Sequence, residues 1–494
     1  ALLAAPGAAE QDKVAQYLYN CPEYLESVCA AFKAGMAVVN TNYRYAADEL
    51  VYLWDNADVT IVVFHATFAD TIEQLRDRVP KVTTWLWVDD DTAPCPSWAT
   101  PYESAAASGT RAPVAADWGR SGDHLMLLYT GGTTGMPKGV MWRQDDLFSV
   151  LDANNRKRLP PEQDLDAAAD RVAQAGPRNM PAAPLMHGTG LFNAISNLII
   201  GGSVTSMVER SFSAEAFLDA VQEHRINSTS IVGDAFAKPI LRALDAKPDR
   251  WDISSLRVIG SSGVIWSKQT KDGLLAHNER LIMVDSLGSS EAIGMATNTT
   301  TAEAGGDTAR FVLGPDTRVI TDATDTEPSR DVVPGSGELG RVAIRGRTPI
   351  GYYKDETKSA QTFVTIDGDR YSIPGDYATV EADGTVNLKG RGSQCINTGG
   401  EKVYPEEVEE CLKLHASVRD AAVVGLPDER WGQAINALVE LHDDHELDVE
   451  ALREHVKAHL AAYKAPKRVI AISSVGRAPN GKLDYGALTD VAAG

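Results

Sequence analysis

Residues 127–140 read Leu-Leu-Tyr-Thr-Gly-Gly-Thr-Thr-Gly-Met-Pro-Lys-Gly-Val, an apolar run that opens into glycines, threonines and one lysine. That composition suits a polyphosphate. Gly131, Gly132 and Gly135 let backbone N–H groups come close to an anion, Thr130, Thr133 and Thr134 add hydroxyl donors, and Lys138 adds a compact positive charge. The loop is not of the Walker type, which ends Gly-Lys-Ser/Thr. Here Pro137 precedes the lysine and a glycine follows it.

Such a loop needs a strand to launch it and a sheet to place its partners. Short apolar runs at 59–64, 125–129, 229–232, 256–259 and 281–284 follow helix-like segments, a pattern of parallel sheets covered by helices. Two of them run into small polar residues: Gly260-Ser261-Ser262-Gly263, and Ser286-Leu287-Gly288-Ser289-Ser290-Glu291. Ligands of α/β sheets bind at such carboxyl ends. From about residue 305, Asp/Gly/Pro turns separate alternating segments at 340–344 and 384–388, which read as a smaller antiparallel region. Gly390-Arg391-Gly392-Ser393 fits a linker or hinge. Beyond it, Pro405 and the following acidic residues start a helix, 421–424 and 437–441 read as strands, and Val449, Leu452, Val456 and Leu460 share a helical face. The fold class expected is α/β. A large N-terminal domain over 1–390 has mixed and parallel sheets with a small antiparallel subdomain, and a small, mobile α+β domain follows over 391–494. The Ala-rich patches near 104–116 and 167–175 read as loops.

Composition sets the outer limits. Over 494 residues the formal net charge is −21, and no Lys/Arg-rich run appears, so a nucleic-acid partner is excluded and any nucleotide must be held by local chemistry. Cysteines at 21, 29, 95, 395 and 411 show no CxxC or other metal spacing and read as reduced thiols of a cytoplasmic protein. No stretch approaches the ~18 consecutive apolar residues of a membrane span. Peripheral membrane contact and a homodimer stay open.

The assembled motifs resemble the acyl-adenylate-forming superfamily, which includes acyl-CoA synthetases, peptide-synthetase adenylation domains and beetle luciferases. The markers are the loop 130–139, Pro184-Leu185-Met186-His187-Gly188, Leu287-Gly288-Ser289-Ser290-Glu291, Tyr371-Ser372-Ile373-Pro374-Gly375-Asp376, Gly390-Arg391, Gly399-Gly400-Glu401-Lys402-Val403-Tyr404-Pro405, and Pro479-Asn480-Gly481-Lys482, in the family's order. The resemblance covers about residues 13–486. The chain starts without the first strand and helices that normally precede the segment at 14–20.

This resemblance implies an ATP-dependent acyl-CoA ligase with ATP, Mg²⁺ and coenzyme A as cofactors and a carboxylic acid as small-molecule substrate. It makes Lys482 the catalytic lysine of adenylation and His187 a contact to the carboxylate or adenylate. Glu291 is placed to hold Mg²⁺ through its carboxylate. Asp376 can accept both ribose hydroxyls, and Arg391 can bond a ribose or phosphate oxygen beside the hinge. Ser393 occupies the hinge position, and the Gly399-Gly400 turn lines the thiol's approach after the C-terminal domain swings. Some positions depart from the pattern. Ser290 replaces a threonine, Leu287 an aromatic residue that stacks on adenine, Pro374 a threonine, and Ser393-Gln394 a charged hinge pair.

Segments 139–146, 233–239 and 395–402 are similar to actinobacterial fatty-acyl-CoA synthetases, a group that includes ligases for steroid side-chain acids. Small residues at Gly233, Ala235, Gly260, Gly263 and Gly288 leave room for an acyl chain, with Phe236 and Trp266 as an apolar wall. Medium-chain, long-chain or sterol-tail acids are therefore expected over acetate or amino acids. The alternatives are an amino-acid or aryl-acid adenylating domain of the same fold and a non-catalytic nucleotide-binding protein. Amino-acid adenylation usually needs an Asp near His187 to pair the substrate ammonium, and none lies between Pro184 and Gly202.

Overall fold

In the computed structural model, residues 1–109, 116–130, 136–153, 165–263, 266–304, 310–322, 328–391, 396–403, 405–476, 483 and 485–494 are described. The apolar run at 59–64 becomes strand Val59–His65, buried along almost its whole length, as a parallel strand covered on both faces must be. It lies in an eight-stranded sheet. There Lys13–Tyr17 pairs in parallel with Ala37–Asn40 and Val59–His65, and Ala37–Asn40 continues in parallel to Leu125–Thr130. Leu125–Thr130 then runs antiparallel to Lys138–Arg143, with Thr130 opposite Lys138. The glycine–threonine loop thus connects a hairpin at the rim of this sheet.

A second sheet of thirteen strands carries Ser228–Ile231, Val258–Ser262 and Ile282–Ser289 side by side in parallel. Ser261 stands opposite Asp285 and Ser262 opposite Ser286, so the carboxyl ends of the last two strands are in register. The apolar run at 256–259 is displaced, because the Leu256 N–H closes a turn onto Ile253 O and the strand begins only at Val258. The antiparallel segments after residue 305 do not form a separate sheet. They extend this one through Arg310–Leu313, Val386–Arg391 and Asp376–Val380. Both Ala-rich patches contain helix, Tyr102–Ala107 and Leu165–Val172, as alanine's helix propensity favours.

A third, five-stranded sheet uses only residues after 395: Ile396–Thr398, Glu401–Val403, Val418–Asp428, Gly432–Leu441 and Arg468–Ala471. Helices Pro405–Lys413 and Val449–His459 cover one face through Val408, Leu412, Leu452 and Val456. Helix Tyr485–Ala493 packs on the other through Leu488 and Ala492. Ala461, just beyond the second helix, sits in the core cluster of the eight-stranded sheet, and this seats the third sheet on the first.

Candidate active site

Thr130 ends its strand and Lys138 starts the next; residues 131–135 between them, and with them Gly131, Gly132, Thr133, Thr134 and Gly135, lie outside the described residues. Asn40, at the end of its strand, fixes the loop's entry. Its amide accepts from Tyr129 N–H and donates to Tyr129 O at 2.9 Å and to Met186 O at 2.7 Å. One buried side chain therefore ties the launch of the loop to the segment that carries His187. Asn20 does similar work, donating to Ala183 O and accepting from Leu185 N–H.

Lys138 is mostly buried, and its ammonium lies 2.6 Å from Asp355 Oδ2. Asp355 also caps helix Glu356–Thr362 by accepting from Lys358 N–H. Burial pushes the Asp355 carboxyl up, but the bond from Lys138 and the cap outweigh it and hold the group below the ordinary carboxylate range. The same ammonium lies 5.9 Å from the Tyr352 ring centre, and the Tyr352 hydroxyl donates to Glu291 Oε1 at 2.9 Å. The backbone of the Glu291 turn is fixed as well. Trp142 Nε1–H donates to Ser290 O, and the Ser372 hydroxyl donates to Glu291 O. Lys138 and Glu291 are thus organised around one buried tyrosine. A half-buried carboxylate oriented through one oxygen is a hard donor of the kind Mg²⁺ takes, so the residues present fit that ion.

At the strand ends of the thirteen-stranded sheet, Gly233 N–H donates to Ser261 Oγ at 3.0 Å and starts helix Asp234–Ala246. Ser262, Ser286, Gly288, Ser289 and Ser290 lie half-open along the same edge, and Gly263 is exposed. A Cβ on Gly260 would meet only Thr229 O, at 3.9 Å, so space lies beside it. Ala235 is exposed, and Phe236 packs edge-on against Phe212 at 4.8 Å. Trp266 is fully buried in the core among Met180, Phe217 and Met283, with no open surface, and Leu287 is buried in a neighbouring core. Behind these ends Lys271, fully buried, pairs with Asp285, whose carboxyl burial pushes up despite that partner. Asp376 is buried after Gly375 and stands opposite Arg391 across the ladder. Of Arg391 only the backbone is described, and Ser393 and Lys482 lie outside the described residues.

His187 stands at the N-cap position of helix Gly188–Ile199 without a side-chain bond to the helix, and its Nε2 lies 3.3 Å from Glu401, a residue of the third sheet. Glu401 also meets Arg44 at 3.3 Å. Burial raises the Glu401 carboxyl, and the His187 imidazole followed by Arg44 more than reverses this, leaving it below its ordinary value. Next to it, Gly399 and Gly400 form the hairpin tip at φ +58° and +85°. A Cβ on Gly399 would come within 2.8 Å of the Trp431 ring, and one on Gly400 would touch Val232 at 3.4 Å. Only glycine satisfies both the backbone and the contact at Gly399. A second seam lies alongside: Lys464, 2% exposed, bonds Glu49 at 2.8 Å and Glu407 at 2.7 Å.

The structure therefore brings together Lys138 with Glu291, Asp376 with Arg391, and His187 with the Gly399-Gly400 turn. Asp355, Tyr352, Arg44, Asn40 and Lys464 were not among the expected site residues. Glu401 alone had a signal, because it sits inside the quoted Gly-Gly-Glu motif. Among the described residues no helix is long and apolar enough to cross a membrane.

Comparison with known proteins agrees with this geometry. The family model described as AMP-binding enzyme matches residues 1–353, and that of the AMP-binding enzyme C-terminal domain matches residues 407–482. The chain is 39% identical over 491 residues to the 3-oxocholest-4-en-26-oate–CoA ligase of Rhodococcus rhodochrous, covering 97% of this chain and 86% of that protein. It is also 39% identical over 487 residues, with the same coverage, to the medium/long-chain-fatty-acid–CoA/3-oxocholest-4-en-26-oate–CoA ligase of Mycobacterium tuberculosis (strain ATCC 25618 / H37Rv). Among solved structures, the amide bond synthetase McbA of Marinactinospora thermotolerans superposes with a TM-score of 0.78 at 25% identity, over 99% of this chain and 92% of that one. With both of its domain models matched and its motifs in order, the chain belongs to the AMP-binding enzyme family, in the fatty-acyl-CoA synthetase branch of the acyl-adenylate-forming superfamily.

Proposed function

We propose that this AMP-forming acyl-CoA synthetase acts on a medium- or long-chain fatty acid or a steroid side-chain acid, and that the arrangement of its domains described above is the thioester-forming one. The observation that carries the reading is the Gly399-Gly400 turn lying on Val232 while Glu401 engages His187. A narrow, side-chain-free turn beside Val232 at the strand ends supports the approach of a thiol there.

In the first step a carboxylate oxygen attacks the α-phosphorus of ATP and pyrophosphate leaves. The loop from Thr130 to Lys138 holds the β- and γ-phosphates. Lys138 is kept extended by Asp355 and shares its charge with the leaving group. Glu291, held by Tyr352, would carry Mg²⁺, which neutralises phosphate charge when bound. Asp376 takes the ribose hydroxyls with Arg391 beside it, and Ser262, Gly263 and residues 286–290 border the adenylate. Lys482 enters in a second arrangement, stabilising charge between the attacking oxygen and the α-phosphate. Domain 391–494 then turns about Ser393, the coenzyme A thiol attacks the acyl carbon, and AMP leaves. His187 contacts the carboxylate or acyl-adenylate, while Gly233, Ala235, Gly260 and Phe236 border the acyl chain and Trp266 backs that wall from the core. The two relatives named above act on acids of these classes, which supports the choice.

The test is release of pyrophosphate and AMP over a panel of acids, with and without coenzyme A. Octanoate, palmitate and a steroid side-chain acid should give pyrophosphate alone and a thioester with coenzyme A. Equal turnover of acetate and octanoate would remove the substrate assignment.

A further inference from the structure

Away from the active site, two helices of the C-terminal domain bring one thiol and three imidazoles together. Cys411 lies on helix Pro405–Lys413 and His415 follows four residues later. His455 and His459 stand four residues apart on helix Val449–His459, a spacing that puts both rings on one face. The ligand atoms of Cys411, His455 and His459 all lie within 4.8 Å of one another. The His415 ring centre is 5.1 Å from that of His455, which is 4.3 Å from that of His459.

Each imidazole has one nitrogen already engaged. His455 Nε2–H donates to Cys411 O at 3.0 Å, His459 Nδ1–H donates to His455 O at 2.8 Å, and His415 Nδ1 meets the Ser417 hydroxyl at 2.8 Å. Each ring keeps its other nitrogen, and backbone carbonyls or a hydroxyl fix its orientation, which is the outer-shell pattern of metal-bound histidines. We propose that Cys411, His455 and His459, with His415 beside them, bind one transition-metal ion of the zinc class. A thiolate with imidazoles selects such an ion over Mg²⁺ or Ca²⁺, and a water completes the tetrahedral set of three protein ligands. The thiol gives its proton to solvent on binding. The ion would staple helix Pro405–Lys413, whose Glu407 lies one turn before Cys411 and meets Lys464, to helix Val449–His459. The inference stands apart from the acyl-CoA reading, since no residue in it touches substrate.

The test uses the untagged 494-residue chain stripped of metal and titrated with Co²⁺ in the absence of nucleotide. One saturable equivalent with thiolate-to-cobalt charge-transfer absorption is expected. The band should disappear in Cys411→Ser, and Co²⁺ should bind at least about tenfold more weakly in His459→Gln, an exposed position whose replacement leaves the core untouched. No stoichiometric binding, or a charge-transfer band that persists in Cys411→Ser, overturns the site. If Cys411→Ser does not fold, unchanged Co²⁺ affinity in both His459→Gln and His455→Gln overturns it equally.

Discussion

Two groups of charged side chains serve the strand ends, and they are built on different terms. In the phosphate region Lys138 with Asp355 and Glu291 with Tyr352 are joined within the large sheets, each partly open to a ligand. In the seam to the third sheet, Lys464 joins Glu49, 415 residues away in the chain, and Glu407, with all three shut off from water. Taking ions out of water costs several kcal/mol each, and that cost largely offsets their attraction in the closed state. A seam of this kind is exacting about register while gaining little net energy from closure, which suits the opening proposed between the two half-reactions. The phosphate-region contacts lie within the large sheets and can be specialised for holding a geometry.

The most severe way to break this comparison is Lys482→Ala. Loss of the charge placed at the α-phosphate should lower carboxylate-dependent pyrophosphate release about 10²–10³-fold, whereas thioester formation from supplied acyl-AMP continues. Equal losses in both half-reactions would end the idea of two arrangements. Lys464→Met should do the opposite. It leaves the Glu49 and Glu407 carboxylates facing each other in a dry seam at a cost of about 3–5 kcal/mol to the closed arrangement. The thioester step from supplied acyl-AMP should fall about 10²-fold, with pyrophosphate release much less affected. Adding Glu49→Gln should recover part of the loss; no recovery would mean that packing, not charge, holds the seam.

Tyr352→Phe sharpens the other side. It removes one hydrogen bond to Glu291 while keeping the ring beneath Lys138, so pyrophosphate release should drop about tenfold, in line with the ~1.5 kcal/mol of such a bond. The thioester step should be unchanged, and a parallel loss there would show that Tyr352 does more than orient one carboxylate.

How far all this was legible in the sequence depends on whether a group's partner lies nearby in the chain. The loop at 130–139, the strand ends at 262–263 and 286–290 and the Gly399-Gly400 turn are local patterns, readable from composition and order. Asp355, Tyr352, Asn40 and Lys464 act through residues brought near only by folding, and nothing in their own neighbourhoods marks them. Trp266 shows the converse: its type and place near a strand end suited an apolar wall, but tertiary packing takes the whole side chain into the core. Among the described residues Cys21, Cys29, Cys95 and Cys411 are free thiols. Spacing counted among thiols alone does not show that Cys411 lies beside two imidazoles of a second helix.

The smallest effect expected comes from pH, and it tests the seam alone. In the closed arrangement the Glu401 carboxyl is pushed up by burial but held below its ordinary value by His187, Arg44 and Lys464. When the seam opens it returns to an exposed carboxylate's value of about 4.3. The closed form thus binds fewer protons, so Glu401 favours closure fully above that ordinary value, and the contribution is lost as pH falls through the lowered one. Fluorescent labels on the two domains should report a closed fraction that declines as pH falls below about 5. Other charged groups face the same seam, so the diagnostic is the difference between the parent and Glu401→Gln. The glutamine variant should be less closed at neutral pH and approach the parent in acid. Parallel curves at every pH would assign the acid response to groups other than Glu401.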